Sequence, residues 1–178
     1  MVASETIEDI LQELKFENFH WINPQNIVVA QWVRVKCMFG CNDYGHSACP
    51  PNVPSVAECR QFFSEYNRGI IIKLNTWAEK SHYPMDWSRA MTKQLLELER
   101  RIFVTGHPKV FLLNQNCCDA CKECHFSRLD CADKGKSRPS PEAFAVDVYQ
   151  TLKNSGIELQ VVNSQSSEIT RIAFLLVD

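Results

Sequence analysis

The sequence predicts an α/β fold: a single domain with a central mixed sheet flanked by helices and a cysteine-rich metal-binding lobe. Helical and strand-like periodicities alternate along the 178 residues. The composition, 45% hydrophobic and 22% charged, is that of a globular chain long enough to bury a core. The cysteines concentrate in residues 37–54 and 117–140, and no low-complexity linker divides the chain. We therefore expect one domain over residues 1–178.

Four elements are predicted in the first half of the chain. Residues 7–14 have the pattern of an acidic amphipathic helix. Residues 32–36 alternate between apolar and polar side chains, like a half-exposed strand. Ser55 and Glu58 match a capping box, which predicts a helix over residues 55–66. The β-branched run at residues 70–72 predicts a strand buried on both faces.

The second half continues the alternation. Residues 87–105 form a strong amphipathic helix, with apolar side chains at Met91, Leu95, Leu98 and Ile102. Residues 110–113 predict a buried strand that leads into the second cysteine segment. A helix with Ser140 as its cap and Pro141 at its first position is expected to run to Gly156. Two strands, residues 159–162 and 172–177, then flank a polar turn at residues 163–167.

Charge and hydropathy exclude several classes of function. Nineteen Lys and Arg against 21 Asp and Glu give a net charge of −2. Nucleic-acid and anionic-membrane binding need concentrated positive charge, so neither partner is expected. No apolar run approaches the roughly 20 residues of a membrane span. The acidic N-terminus lacks the order of a signal peptide, which makes the reducing cytoplasm the expected compartment. Clustered cysteines there indicate metal more often than disulfides.

The second cysteine set gives the stronger signal. Cys118, Cys121 and Cys124 follow a C-x2-C-x2-C spacing, and Cys131 comes after six further residues. Ferredoxin-type 4Fe–4S sites use this core with a more remote fourth cysteine. Zinc sites usually present two separated C-x2-C pairs. The spacing therefore favours an iron–sulfur cluster, and a zinc loop that only staples the fold is the alternative.

The first set is incomplete. Cys37, Cys41 and Cys49 are separated by three and seven residues, which is unlike common zinc knuckles. Three thiolates suit a 4Fe–4S cluster whose fourth iron takes another ligand. His46, Cys117, a water or a small-molecule substrate are the candidates for that place. The alternative is that both sets contribute to one site, such as a shared cluster or a binuclear zinc centre.

Two cysteines are left outside the predicted ligand set. Cys59 lies on the apolar stripe of the 55–66 helix, which predicts a buried structural thiol. Cys117 adjoins Cys118, and adjacent side chains of an extended chain point to opposite sides. Cys118 is the predicted ligand because it completes the regular spacing, and His125 is a candidate by position alone. Cations flank both sets, where they would stabilise an anionic cluster, dock an anionic partner or be solvated: Arg34, Lys36, Arg128, Lys134, Lys136 and Arg138.

Both motifs resemble those of a known family. The first runs from Arg34 through Cys37, Cys41 and Tyr44-Gly45 to Cys49-Pro50-Pro51. The second comprises Cys118, Cys121, Cys124 and Cys131, followed by Arg138-Pro139-Ser140. Over about residues 33–162 the chain is similar to a prokaryotic family of unknown function described as predicted metal-binding proteins. Pro141 and residues 145–148 depart from the family pattern without touching a cysteine. The resemblance implies metal, iron–sulfur in particular, and no specific reaction.

The sequence thus predicts a protein that holds one or two 4Fe–4S clusters and transfers electrons to a protein redox partner. The predicted metal ligands are Cys37, Cys41, Cys49, Cys118, Cys121, Cys124 and Cys131. No phosphate-binding glycine loop is present to suggest a nucleotide. One alternative is an enzyme that acts on a small molecule at the open iron of the three-cysteine cluster. The other is a zinc-stapled interaction module.

Overall fold

A four-stranded sheet lies at the centre of the protein. The computed structural model describes residues 5–79, 84–159 and 166–178. The strands pair in the order β1-β2-β4-β3, and the long pairing of β2 with β4 runs from Gly69 opposite Leu176 to Glu79 opposite Ser166. The predicted α/β single domain is confirmed, but every described strand pair is antiparallel, so the sheet is not mixed. The strands are β1 Phe19–Ile22, β2 Gly69–Glu79, β3 Phe111–Leu113 and β4 Ser166–Leu176.

Helices cover both faces of the sheet. Ile70 and Ile72 face α1 and α4, whereas Ile71 faces α3 and α5. All three isoleucines are fully buried, which confirms the predicted two-faced strand. Within the described ranges, none of the helices is both long and apolar enough to cross a membrane. The helices are α1 Ile7–Glu13, α2 Gln31–Gly40, α3 Val56–Ser64, α4 Met85–Val104 and α5 Val148–Asn154.

The start of α3 agrees with the sequence prediction, and α2 does not. The Ser55 side chain accepts a hydrogen bond from the Glu58 amide while the Glu58 carboxylate accepts from the Ser55 amide, which is the predicted capping box. Residues 32–36 were predicted as a strand and are helical. Five residues that alternate between apolar and polar side chains fit the period of a helix as well as that of a strand. Arg34 donates from Nη2 to the carbonyls of Pro54 and Ala143 at 3.0 Å each. These bonds hold α2 against two segments that lie outside the sheet.

The predicted helix from Ser140 to Gly156 is interrupted. A 3-10 turn, Glu142–Phe144, ends at Ala145 in the left-handed region with φ 59°, and α5 begins only after the Asp147 cap. The Ala145 carbonyl and the Asp147 amide bond to Ala30 and Val28, so tertiary pairing removes these groups from the helix.

The remaining strand predictions have mixed outcomes. Residues 172–176 are confirmed as part of β4, whereas the short β1 was not predicted. Of the predicted strand at 159–162, residue 159 is not in a strand and residues 160–162 lie outside the described residues. The predicted turn lies outside them up to residue 165, and its last two residues belong to β4.

Candidate metal centre

Four cysteines line one cavity of about 190 Å³. Cys37 lies in the last turns of α2, Cys41 caps that helix, and Cys49 is buried in the turn that follows. Cys117 reaches the same cavity from the segment that follows β3. The structure therefore brings together the three cysteines predicted as the first set and adds Cys117, one of the candidates for their fourth ligand. This space is called the first cavity below.

The turn that carries Cys49 is held by its own hydrogen bonds. The Gly45 amide donates to the Pro50 carbonyl at 2.8 Å, and the Cys49 amide donates to His46 at 3.0 Å. The Asn52 side chain donates to the carbonyls of Gly45 and His46 at 2.9 and 3.0 Å. Gly45 has φ 94°, a conformation that side-chain-bearing residues rarely adopt. These contacts fold the seven-residue spacer back so that Cys49 faces Cys37 and Cys41.

Burial raises the pKa of three thiols of the first cavity, so these three stay neutral to a higher pH than an exposed cysteine. Burial raises the pKa of Cys49 to about 12, and the negative charges of Asp43 and Cys41 contribute to the rise. Burial also raises the pKa of Cys117, which bonds to the Asp43 carboxylate. The pKa of Cys37 is raised by burial and by Cys41, although Arg34 opposes the rise. A metal cation entering here must displace protons, and it would relieve the mutual repulsion of the thiolates.

The four cysteines predicted as the second set line a separate cavity of about 20 Å³. They are Cys118, Cys121, Cys124 and Cys131. Cys117 and Cys118 thus face different cavities, as the adjacent-residue argument predicts. A volume this small is close to that of one water-sized probe, so it has room for a single ion, and the loop must widen to admit a cluster. Residues 114–141 contain no helix or strand of their own, so such widening breaks no regular secondary structure. This space is called the second cavity below.

The thiols of the second set experience a different environment. Burial acts to raise the pKa of Cys124, but hydrogen bonds from Ser47, Phe126 and His125 outweigh it and lower the pKa. Burial and the neighbouring thiols, Cys118 first, raise the pKa of Cys121. Backbone amides around Cys124 are therefore already arranged to stabilise a thiolate.

The two cavities are neighbours. Ser47, from the first cysteine segment, contacts Cys124 with its Oγ 3.8 Å from the sulfur. The ring of His46 stacks edge-on against Phe126 with centroids 4.4 Å apart. His46 therefore lies at the junction and does not line the first cavity, whereas His125 lines the second. Cys59 lines neither; it is fully buried, as predicted, and its sulfur contacts the Pro54 carbonyl.

In the part of the chain that the structure describes, no three His, Cys, Asp or Glu side chains form a ready-made group that could hold a metal ion. The donor chemistry is nevertheless suitable, because four soft thiols in each cavity match the preference of iron–sulfur clusters and zinc. The thiols share their cavities without converging on one point. Side-chain rotation must accompany metal binding, and the seven predicted ligands and Cys117 remain predictions as ligands.

A buried polar network holds the loop that carries the second cysteine set, called the second loop below, against α4. The sequence pattern did not predict this network. The Asp119 carboxylate accepts hydrogen bonds from Ser88 Oγ at 2.5 Å and Thr92 Oγ1 at 2.6 Å. Asn114 donates to the Thr92 hydroxyl and Gln115 to the Ser88 hydroxyl. All five side chains are buried. The sequence does contain one sign of this network. Ser88 and Thr92 are polar residues four apart, and they lie on the face of α4 that the apolar pattern places in the core.

The exit of the second loop is held by Glu99. This carboxylate accepts from the Leu112 amide at 2.9 Å and from Arg138 Nε and Nη2 at 2.9 Å each. Arg138 and Arg34 were predicted as cations that stabilise a cluster or dock a partner. Both guanidinium groups instead bond to protein acceptors, so their first role is to position the two cysteine segments.

A larger cavity lies elsewhere, and no cysteine is among the described residues that line it. Its volume is about 580 Å³, and it lies between α4, the start of β3 and the residues after Cys131. Leu96, Phe103, Pro108, Val110 and Phe111 form its apolar floor. We assign the chemistry to the cysteine cavities despite their smaller size, because only they contain soft metal donors. The charged groups at this larger cavity are Lys93, Glu97, Glu99, Arg100, Lys136 and Arg138.

Comparison with known proteins identifies the family. Residues 20–177 match the sequence model of the family described as "Predicted metal-binding protein (DUF2284)". No curated protein and no solved structure matches the chain. The match covers both cysteine sets and, apart from Phe19 of β1, the four described strands. The chain belongs to this family of predicted metal-binding proteins.

Proposed function

We propose that the protein binds two 4Fe–4S clusters and transfers electrons to a protein partner. The observation that carries the proposal is the division of eight cysteines into two adjacent cavities, four in each. Four thiolates are the usual ligand set of a 4Fe–4S cluster. When bound, such clusters supply one-electron redox chemistry.

The donor arrangement favours clusters over single zinc ions. A zinc ion bonds four thiolates at about 2.3 Å and draws them to one point. A cubane spreads its thiolates because each binds a different iron. The thiols of the first cavity surround about 190 Å³ without forming a single-ion group, which suits the larger object. The C-x2-C-x2-C spacing of the second set supports the same choice.

The surroundings of the second set favour an anionic partner. Cys121 is exposed on its loop. The 580 Å³ cavity shares Gly135 and Lys136 with the segment that follows this loop. Among the described residues, four cations and two carboxylates line that cavity, although the whole chain carries a net charge of −2. Arg100, Arg138 and Lys136 form ion pairs with Glu97, Glu99 and Asp133, which leaves Lys93 as the unpaired charge in the described part of the chain at this cavity. A local positive excess beside an exposed redox centre attracts a negatively charged protein surface.

Anaerobic reconstitution tests the proposal. The purified chain is incubated with ferrous iron and sulfide, desalted, and measured for iron, sulfide and visible absorbance. We expect a brown protein with about eight irons per chain and a broad band at about 400 nm that bleaches on reduction. A colourless protein that takes up only stoichiometric zinc would contradict it and support the zinc-stapled module.

A second candidate function is an enzyme that acts on a small molecule at the first cavity. The observation in its favour is the polar lining, which exceeds what four thiolates need: Asp43, Tyr44, Gln115, Glu142 and Arg171. A change in the electron paramagnetic resonance signal of one cluster on adding a small molecule would favour this candidate. A spectrum that responds only to redox titrants would favour electron transfer alone.

A further inference from the structure

Gln115 has one hydrogen-bonding group that the protein does not use. The side chain is 4% exposed and lines the first cavity. Its Nε2 donates to Ser88 Oγ at 2.8 Å. Its Oε1 is shielded from bulk solvent and has no partner among the described residues. A buried carbonyl oxygen without a donor is costly, so a native structure that keeps one calls for a partner from outside the chain.

The orientation of this carboxamide is set by Asp119. The Ser88 hydroxyl donates its single proton to the Asp119 carboxylate, at 2.5 Å. The Ser88 oxygen is then left to accept, which turns the Gln115 nitrogen toward it and Oε1 away. In the same way, the Thr92 hydroxyl donates to the other carboxylate oxygen of Asp119 and accepts from the Asn114 side chain. The assignment of oxygen and nitrogen in Gln115 therefore follows from the network.

The cavity offers acceptors and negative charge beyond Gln115. Among the described residues, Asp43, Glu142 and Tyr44 also line it, against one cation, Arg171. A guest that fits this lining carries N–H donors and a positive charge.

We propose that the first cavity binds a small primary ammonium compound, with an N–H donated to Gln115 Oε1 and Asp119 acting as a positioning residue. The inference rests on the proposed function in taking the first cavity as the working site. It names the class of small molecule that the cavity admits. Asp119 belongs to the second loop, so this network also links the wall of one cavity to the loop of the other.

The test compares methylammonium with tetramethylammonium, which has the same charge and no N–H donor. Each cation is titrated into the iron-loaded and the metal-free protein. In the metal-free sample, binding is measured by the side-chain amide resonances of ¹⁵N-labelled Gln115. In the loaded sample, it is measured by electron paramagnetic resonance. We expect methylammonium to bind about tenfold more tightly, the ratio that one hydrogen bond supplies. Gln115→Met should remove the preference.

Two further variants separate positioning from stability. In Asp119→Asn the new amide can donate, which frees the Ser88 hydroxyl to turn, so the preference for methylammonium should fall although Gln115 is intact. Thr92→Val breaks the other arm of the network and should keep the preference. If Gln115→Met does not fold, Gln115→Glu serves instead, and its added charge should tighten methylammonium binding.

The outcomes distinguish the two proposals. A protein that loads iron but binds both cations alike, or a Gln115→Met protein that keeps the preference, overturns the ammonium site and leaves the cluster proposal standing. A chain that takes up no iron yet prefers methylammonium in a Gln115-dependent manner overturns the cluster proposal and supports the ammonium site.

Discussion

The two cysteine sets differ in how much of the fold each one needs. The first cavity draws on the end of α2, the turn that carries Cys49, and Cys117 from beyond β3. The second draws on one loop, residues 118–131, with Cys121 exposed. The first set therefore forms only when distant segments of the chain have met. The second can form locally, and its final geometry depends on the metal and on the anchors that hold the loop.

The sets also differ in charge. Burial and Asp43 raise the pKa of Cys49 and Cys117 in the first cavity, whereas hydrogen bonds around Cys124 lower its pKa and favour its thiolate. Packing thus preorganises the first set, whereas the desolvation of its thiols opposes the formation of thiolates. The second is held by the contacts of Asp119 and Glu99 rather than by a helix or strand of its own, and hydrogen bonds around Cys124 partly prepare it. Metal binding should release more protons from the first cavity than from the second.

Removing one thiol from each set should give the largest effects. Cys49→Ala and Cys121→Ala should each lose about half of the iron, since one cluster of four irons is lost and the other remains. The measurement is iron and sulfide per chain after reconstitution. Cys59→Ala is the control, because Cys59 lines neither cavity, and it should keep the full iron content.

The same pair of variants tests whether the sites are independent. Loss of all iron from Cys121→Ala would mean that the two sets share one cluster, the alternative left open by the sequence. Full retention by Cys49→Ala would exclude Cys49 as a ligand.

The second loop should depend strongly on its anchor at Glu99. Glu99→Gln leaves the Arg138 guanidinium without its carboxylate in a largely buried setting. The free energy of unfolding should fall by about 2–4 kcal/mol, measured by urea denaturation of the metal-free protein. Glu97→Gln is a matched control on the same helix, since Glu97 pairs with Arg100 at the surface. Its effect should stay within about 0.5 kcal/mol, and an equal loss from both variants would contradict the assigned role of Glu99.

The sequence predicted what depends on local pattern. The isoleucine run of β2, the periodicity of α4 and the capping box at Ser55 are each encoded within a few residues, and all three are confirmed. The break at Ala145 could not be predicted, because it is imposed by pairing with Val28 and Ala30 on a distant segment. The strand predicted at residues 32–36 failed because its short alternation fits a helix equally well.

The same distinction applies to the candidate site. The second set was readable because its four cysteines lie on one loop. Cys117 was named only as one possible ligand of the first set, since its place beside Cys37 requires β3 to be packed in the sheet. Asp119 and Glu99 were missed because a carboxylate among cysteines, or on a helix surface, gives no sign of burial until its partners are known.

The charge difference predicts a pH dependence of stability in the metal-free protein. The pKa of Cys49 is raised from about 9 in the unfolded chain to about 12 in the fold. Between these values the folded protein keeps a proton that the unfolded chain has lost. The free energy of unfolding should be undiminished by this thiol below pH 9 and should fall as the pH rises toward 12, by at most about 1.4 kcal/mol per pH unit.

Denaturation at a series of pH values measures this slope. Cys49→Ala should make the fall shallower. Cys124→Ala should leave the fall in place, because the pKa of Cys124 is lowered and its thiolate is already formed in the fold at these pH values. An unchanged slope in Cys49→Ala would contradict the buried neutral thiol.

The smallest expected effect concerns the route by which electrons leave. Lys93 lies at the rim of the 580 Å³ cavity and forms no ion pair with any residue in the described ranges. Reversing its charge in Lys93→Glu should slow oxidation of the reduced protein by ferricyanide about two- to fivefold at low ionic strength and speed oxidation by hexaammineruthenium(III). Stopped-flow absorbance measures both rates, and Lys153→Glu on α5 is the control of equal charge change. If electrons leave through the exposed second set, Lys93→Glu should change both oxidation rates in the same way when it is combined with Cys49→Ala. If the combined variant Lys93→Glu/Cys49→Ala loses the difference between the two oxidants, the buried first set is the exit. An effect of Lys153→Glu as large as that of Lys93→Glu would mean that the larger cavity has no part in docking.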